Sequence, residues 1–139
     1  MIVDCAHYRD GRRQHEGMMD TAEAAAICRN EPGFVWLGMV EPSSEELQGV
    51  QETFGLHELA VEDAQSFHLR PKVEQYDEGI AFVVLRTARY VPEREEVDFG
   101  EISIFVGPGF IITVRQGVSR SRRGRRSSPS PRSSPPSTA

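Results

Sequence analysis

The stretch Phe34–Val40, FVWLGMV, is apolar at every position and ends after seven residues. A run that short is a strand and not a membrane span, which takes about 20 residues. A strand that does not alternate has both faces buried, so it requires a sheet with helices packed above or below it. The chain of 139 residues, 38% hydrophobic and 27% charged, is large enough for one such core. The next apolar run, 80–85, is shorter still, and Met1-Ile2-Val3-Asp4 opens no basic-then-apolar leader. Neither a membrane span nor a secretory signal is expected.

The flanking segments supply the sheet and its helices. Asp10-Gly11 between short segments is the strongest local signal for a tight hairpin at the N-terminus. Asp20 or Thr21 caps a helix running through Arg29, with Ala24, Ile27 and Cys28 on one face and Pro32-Gly33 behind it. Ser43 and Glu46 have capping-box spacing and open a second helix, whose stripe is Leu47, Val50 and Phe54 and whose left-handed stop is Gly55. A third, short helix is expected over 57–67. Strands are expected over 72–77, 80–91, 101–106 and 110–115, with Gly107-Pro108-Gly109 turning the last two. The fold class is α/β (α+β): a mixed parallel and antiparallel sheet of about five to seven strands packed with short helices.

Charge divides the chain in two. Six of the 16 basic residues and none of the 21 acidic ones lie after Gly117, which leaves 10 basic against 21 acidic residues, a net of −11, in residues 1–117. Such a body repels a phosphate backbone and suits a cation. Residues 118–139 hold eight Ser, six Arg and four Pro, and Val118 is their only apolar side chain larger than alanine. They bury too little to offset their ordering entropy. The expectation is therefore a domain over 1–117 and a disordered tail over 118–139. That tail is either a shifted reading frame in GC-rich DNA or an arm that binds nucleic acid through runs such as Ser119-Arg120-Ser121-Arg122. Cys5 and Cys28 lack CxxC spacing and read as reduced, buried thiols.

In the third helix, 100° per residue puts Leu56, Leu59, Ala60, Ala64 and Phe67 on one stripe with Asp63 inside it. A buried carboxylate needs hydrogen bonds, a basic partner or a metal ion. Backbone donors of 65–69, an ion pair with Arg70 or Lys72, and a divalent cation each meet that need. Glu62 points about 100° away, so the two carboxylates flank one edge and serve adjacent sites, not one chelate. Mg2+ takes one or two protein carboxylates and keeps its waters, so a sparse site suffices. Arg70-Pro71-Lys72 has no Gly-rich cradle or helix N-terminus beside it, which favours ion pairing with acids such as Glu74 over phosphate binding. His7, His15, His57 and His68 lack HxxxH and HExxH spacing, and neither GxSxG nor GxGxxG occurs. An enzyme is not expected.

The run Phe54-Gly55-Leu56-His57, then Leu59-Ala60-Val61-Glu62-Asp63, then His68-Leu69-Arg70-Pro71-Lys72-Val73-Glu74 and Tyr76, resembles the N-terminal cytosolic domain of the CorA magnesium and cobalt transporters. The spacing from Glu62-Asp63 to Arg70-Pro71-Lys72 is as in that family, and the resemblance covers residues 34–116. Glu58 replaces a common proline, a change that an acidic first-turn residue tolerates. The resemblance implies a regulatory divalent-cation site at Asp63 and Glu62, completed by carboxylates of long helices across subunit boundaries in a homopentamer. It implies Mg2+, or Co2+, as a weakly held regulatory ion, and a place on the cytoplasmic face of the plasma membrane. The family's long helices, two membrane spans and Gly-Met-Asn signature do not occur in these residues. The expectation is thus a soluble cytoplasmic fragment, monomeric or weakly oligomeric, that senses ions and does not transport by itself. The rival functions are a nucleic-acid-associated protein binding through its serine-arginine tail, and a metal-dependent hydrolase using Asp63, Glu62 and His68, for which no nucleophile or base arrangement is recognisable.

Overall fold

A computed structural model describes residues 1–66, 70–76 and 79–117. The chain order is β1 (Ile2–Arg9), β2 (Arg12–Arg13), α1 (Thr21–Asn30), β3 (Phe34–Val40), α2 (Ser44–Phe54), α3 (Glu58–Ala64), β4 (Lys72–Tyr76), β5 (Ile80–Val91), β6 (Glu96–Gly107) and β7 (Phe110–Gly117). The seven strands form one sheet in the order β2-β1-β3-β7-β6-β5-β4. The β3–β7 pair, with Val35 opposite Phe110, is parallel; the other pairs are antiparallel.

Local chemistry explains most element ends. Asp10 and Gly11 both have positive φ, 55° and 75°, as a tight primed hairpin turn demands. Asp20 caps α1 by accepting from the N–H groups of Ala22 at 3.1 Å and Glu23 at 3.4 Å. The Ser43–Glu46 capping box closes in both directions, at 3.1 and 2.9 Å.

Alternation sorts the sheet into two faces. Val35, Leu37 and Met39 of β3, Phe82 and Val84 of β5, Phe105 of β6 and Ile112 and Val114 of β7 form one cluster with Ala24 of α1, Leu47 and Val50 of α2, and Ala60, Val61 and Ala64 of α3. All three helices therefore lie on the same side. The other face carries Trp36, Val83, Ile104 and Ile111, half-buried, with Val73 and Leu85 exposed, and no helix of the described residues covers it. The two-sided burial expected of β3 is thus met on one side only. On the open side the Trp36 ring lies over Gly38, where a Cβ would come within 2.8 Å of it, and its Nε1–H donates to Thr113 Oγ1 at 3.1 Å.

Three boundaries or burials differ from expectation. α3 is Glu58–Ala64, with His57 as its cap accepting from the Leu59 N–H at 3.0 Å; Phe67 and His68, like the tail 118–139, lie outside the described residues. β6 begins at Glu96 and not at Glu101, because the antiparallel ladder with β5 continues through Arg89 opposite Asp98 to Val91 opposite Glu96, carrying the strand through Glu96, Asp98 and Gly100, which are poor strand formers. Cys28 is half-buried, its Sγ 3.4 Å from the Pro108 carbonyl. Cys5 is fully buried, which pushes its thiol up to about 11.

Candidate functional site

Gly55 ends α2 in the left-handed conformation, at φ 72°, Leu56 drops into the core, and α3 starts at once. α3 docks through Ala60, Val61 and Ala64, small side chains that let the helix approach the sheet closely. At 100° per residue Asp63 stands roughly 110° from the centre of that face, at its rim, and Glu62 and Leu59 roughly 150° from it. Leu59 is accordingly 57% exposed. The expected stripe is corrected: Val61 replaces Leu59 in the core, because the helix docks on the face centred on Ala60, Val61 and Ala64, from which Leu59 points away.

Asp63 is half-buried, with 19% of its side chain exposed. Its Oδ2 receives the Lys72 Nζ in an ion pair. Lys72 also donates to Glu74 Oε1 at 3.0 Å, and the Tyr76 hydroxyl donates to that same oxygen at 3.1 Å. Lys72, Glu74 and Tyr76 alternate along β4 and therefore share its helix-side face. The Lys72 ammonium sits 5.9 Å from the centroid of the Phe82 ring, and the His57 and Tyr76 rings are 5.0 Å apart. The bond to Asp63, and then that to Glu74, holds the Lys72 ammonium above the usual lysine range. Burial first, and Glu74 second, raises the Tyr76 hydroxyl. Of the partners open to Asp63 in the sequence, Lys72 is one the fold uses. Arg70 and Pro71 stand exposed on the approach to β4.

Glu62 and Asp63 line one shallow hollow with Leu59 and Ser66. Glu62 also lines a second, between α2 and α3, with Ser44, Gln48, Gln51 and Gln65. Carboxylates are the hard donors that Mg2+ prefers. Among the described residues, however, no three His, Cys, Asp or Glu side chains converge, and Asp63 already holds an ammonium. Among the described residues, these side chains do not make a cation site by themselves. The ion pair of Lys72 with Glu74 is the one expected from the sequence, whereas Tyr76 carries no sequence expectation at this site, although its i, i+2, i+4 spacing with Glu74 and Lys72 is the signal that places it on the same face. Glu101, 1% exposed on the core side of β6 with Arg86 as its cross-strand partner, was also missed. Its alternation with Ser103 and Phe105 was the only sign.

Asp63→Ala is expected to destabilise the domain by roughly 1 kcal/mol, more than an exposed pair and less than a buried one. Urea unfolding measures it. The raised Lys72 value fixes the sign with pH. Its contribution is complete below the ordinary lysine value and is lost as pH rises through the raised one, so wild type and Asp63→Ala should converge in strong alkali.

The model of the family described as CorA-like Mg2+ transporter protein matches residues 31–126, which include α3, Lys72 and Glu74. The chain belongs to this family. The cobalt/magnesium transport protein CorA of Thermotoga maritima is 29% identical over 75 residues, 54% of this chain and 21% of that protein. The chain thus spans only that share of this CorA relative. The soluble domain of CorA from Methanocaldococcus jannaschii aligns with a TM-score of 0.54 and 13% identity over 94% of this chain and 48% of that one. The full-length CmaX protein aligns at 0.59 and 20% identity over 83% and 35%. At these identities the likeness is one of fold, and the mixed sheet with three short helices is the fold of the CorA soluble domain. No helix among the described residues is long and apolar enough to cross a membrane.

Proposed function

We propose that this chain is the cytosolic, ion-sensing domain of a CorA-like divalent-cation transport protein and is not competent for transport by itself. The observation that supports it is the hollow on α3. Glu62 and Asp63 bring two carboxylates to one rim inside the family match, too few for a cation to be held without further ligands. The missing ligands would come from outside the described chain, across a subunit boundary of a homopentamer, at the cytoplasmic face of the membrane. The relative from Thermotoga maritima is named for cobalt and magnesium transport, so Mg2+ or Co2+ is the ion class, as regulator here and as cargo of the whole protein.

The test is a chimera in which residues 1–117 replace the matching segment of that relative, expressed in cells without a magnesium importer. The chimera is expected to restore growth on low Mg2+, and residues 1–117 alone are not. Replacing Asp63 and Glu62 by alanine in the chimera should raise by about tenfold the internal Mg2+ at which uptake shuts, a coupling of ordinary allosteric size. Growth supported by the fragment alone, or a shut-off untouched by the double substitution, would overturn the proposal.

A further inference from the structure

We infer that Lys72 is the resident cation of a carboxylate pair, Asp63 and Glu74, and that it keeps divalent ions off Asp63 in this chain. The pair joins two elements that the sequence separates: Asp63 lies in the last turn of α3, and Glu74 lies within β4. The Lys72 ammonium touches both, Asp63 Oδ2 on one side and Glu74 Oε1 at 3.0 Å on the other. The Tyr76 hydroxyl fixes the same Glu74 oxygen at 3.1 Å. The ammonium also lies 5.9 Å from the Phe82 ring centroid, so leaving the pair gives up a cation–π contact as well. Two carboxylates held this close repel each other unless a positive charge stands between them. A tethered ammonium supplies it at a far higher effective concentration than free ions do. Mg2+, which gives up its water reluctantly, would have to displace this group before it reached Asp63.

The carboxylate named here with Asp63 is Glu74, not Glu62. The inference needs no ligand from outside the chain and so stands apart from the ion-sensing proposal. It places a condition on that proposal: any ion arriving at Asp63 must first release Lys72.

Titration of residues 1–139 with MgCl2, against NaCl of matched ionic strength, reads the effect through thermal unfolding. Titration with MnCl2 reads it through paramagnetic broadening of the Asp63 and Glu74 amide resonances. Wild type and Lys72→Arg are expected to show no Mg2+-specific rise in Tm and no selective broadening. Lys72→Met, which keeps the stem and loses the charge, should melt lower without Mg2+. It should regain stability with Mg2+, binding the ion about tenfold tighter than wild type. Adding Asp63→Asn to Lys72→Met should abolish that response. Lys72→Gln gives the same measurement if Lys72→Met does not fold. A folded charge-neutral variant with no gain in Mg2+ or Mn2+ response overturns the inference, as does wild type responding as strongly as Lys72→Met. A responsive Lys72→Met beside a chimera indifferent to the double replacement of Asp63 and Glu62 by alanine would uphold it while the ion-sensing proposal fails.

Discussion

Phe105→Ala is expected to destabilise the domain by about 3–5 kcal/mol, the range for truncating a fully buried aromatic side chain. Phe105 is 0% exposed. It stands on β6, with β5 and β7 hydrogen-bonded on either side. Its ring packs at 5.0 Å and 46° against Phe82, a tilted pair of the kind that adds to simple burial. The neighbours on both strands are fixed by the ladder and cannot collapse into the space, so the cavity persists. A domain of this size has about 5–15 kcal/mol in all, and the loss is a large part of it. Urea unfolding reads the difference directly. Val73→Thr is the control: Val73 is 69% exposed on the face without helices, and its replacement should stay within about 0.5 kcal/mol of wild type. A Phe105→Ala loss as small as that of the control would contradict the division of the sheet into a covered and an open face.

Gly33→Ala is expected to cost roughly 2–4 kcal/mol, because two penalties fall on one position. Gly33 has φ +95°, where a side chain is strained, and a Cβ there would lie 2.1 Å from the Tyr8 carbonyl oxygen. That oxygen is backbone and cannot rotate away. It belongs to β1 at the point where Tyr8 pairs with Phe34, and the loop before β3 is pinned by the His7 Nε2–H donating to the Pro32 carbonyl at 2.9 Å. Relief would have to come from separating β1 and β3. Gly55→Ala makes the comparison, since Gly55 has φ +72° with nothing within 4 Å of its Cβ position and should lose only about 1 kcal/mol of conformational energy. Melting temperatures of the two variants side by side distinguish contact from conformation. Equal losses would mean that the approach of Tyr8 does not matter.

Much of this architecture was legible in the residues. The Asp10-Gly11 hairpin, the Asp20 cap, the Ser43–Glu46 box and the Gly55 stop are each closed by hydrogen bonds or backbone angles within a few positions, so their chemistry is written locally. The short apolar run at 34–40 identified a sheet strand, and enrichment in branched and aromatic residues marked 80–91 and 110–115 as further strands; that Phe82, Val84, Ile112 and Val114 share one face is seen in the fold. The start of β6 was not legible. The run Glu96-Val97-Asp98-Phe99-Gly100 includes two acids and a glycine, which are poor strand formers, and it is the ladder with β5 that extends the strand through them. The rotation of α3 was not legible either, since with so few residues one turn of sequence fits more than one docking face. The candidate site divides in the same way. Glu62 and Asp63 are adjacent in sequence, and the 100° between them follows from helical geometry, whereas the contact that joins Glu74 to Asp63 through Lys72 depends on how β4 is placed against α3.

The sequence by itself determined where most helices and strands lie, that residues 1–117 are net acidic and 118–139 net basic, and that Asp63 needs a partner. Those properties depend on residues within a turn or two of each other, and on summed charge, neither of which requires knowing the topology. Only the tertiary structure decided that β3 runs parallel beside β7 in the middle of the sheet, that all three helices cover one face, and that Asp63 takes as a partner the ammonium that Lys72 shares with Glu74. The physical reason is that several partners satisfy a half-buried carboxylate equally well on local grounds. The choice among them is made by the packing of distant segments, here the seating of Ala60, Val61 and Ala64 against the sheet, which sets where on β4 the Asp63 carboxylate comes to rest.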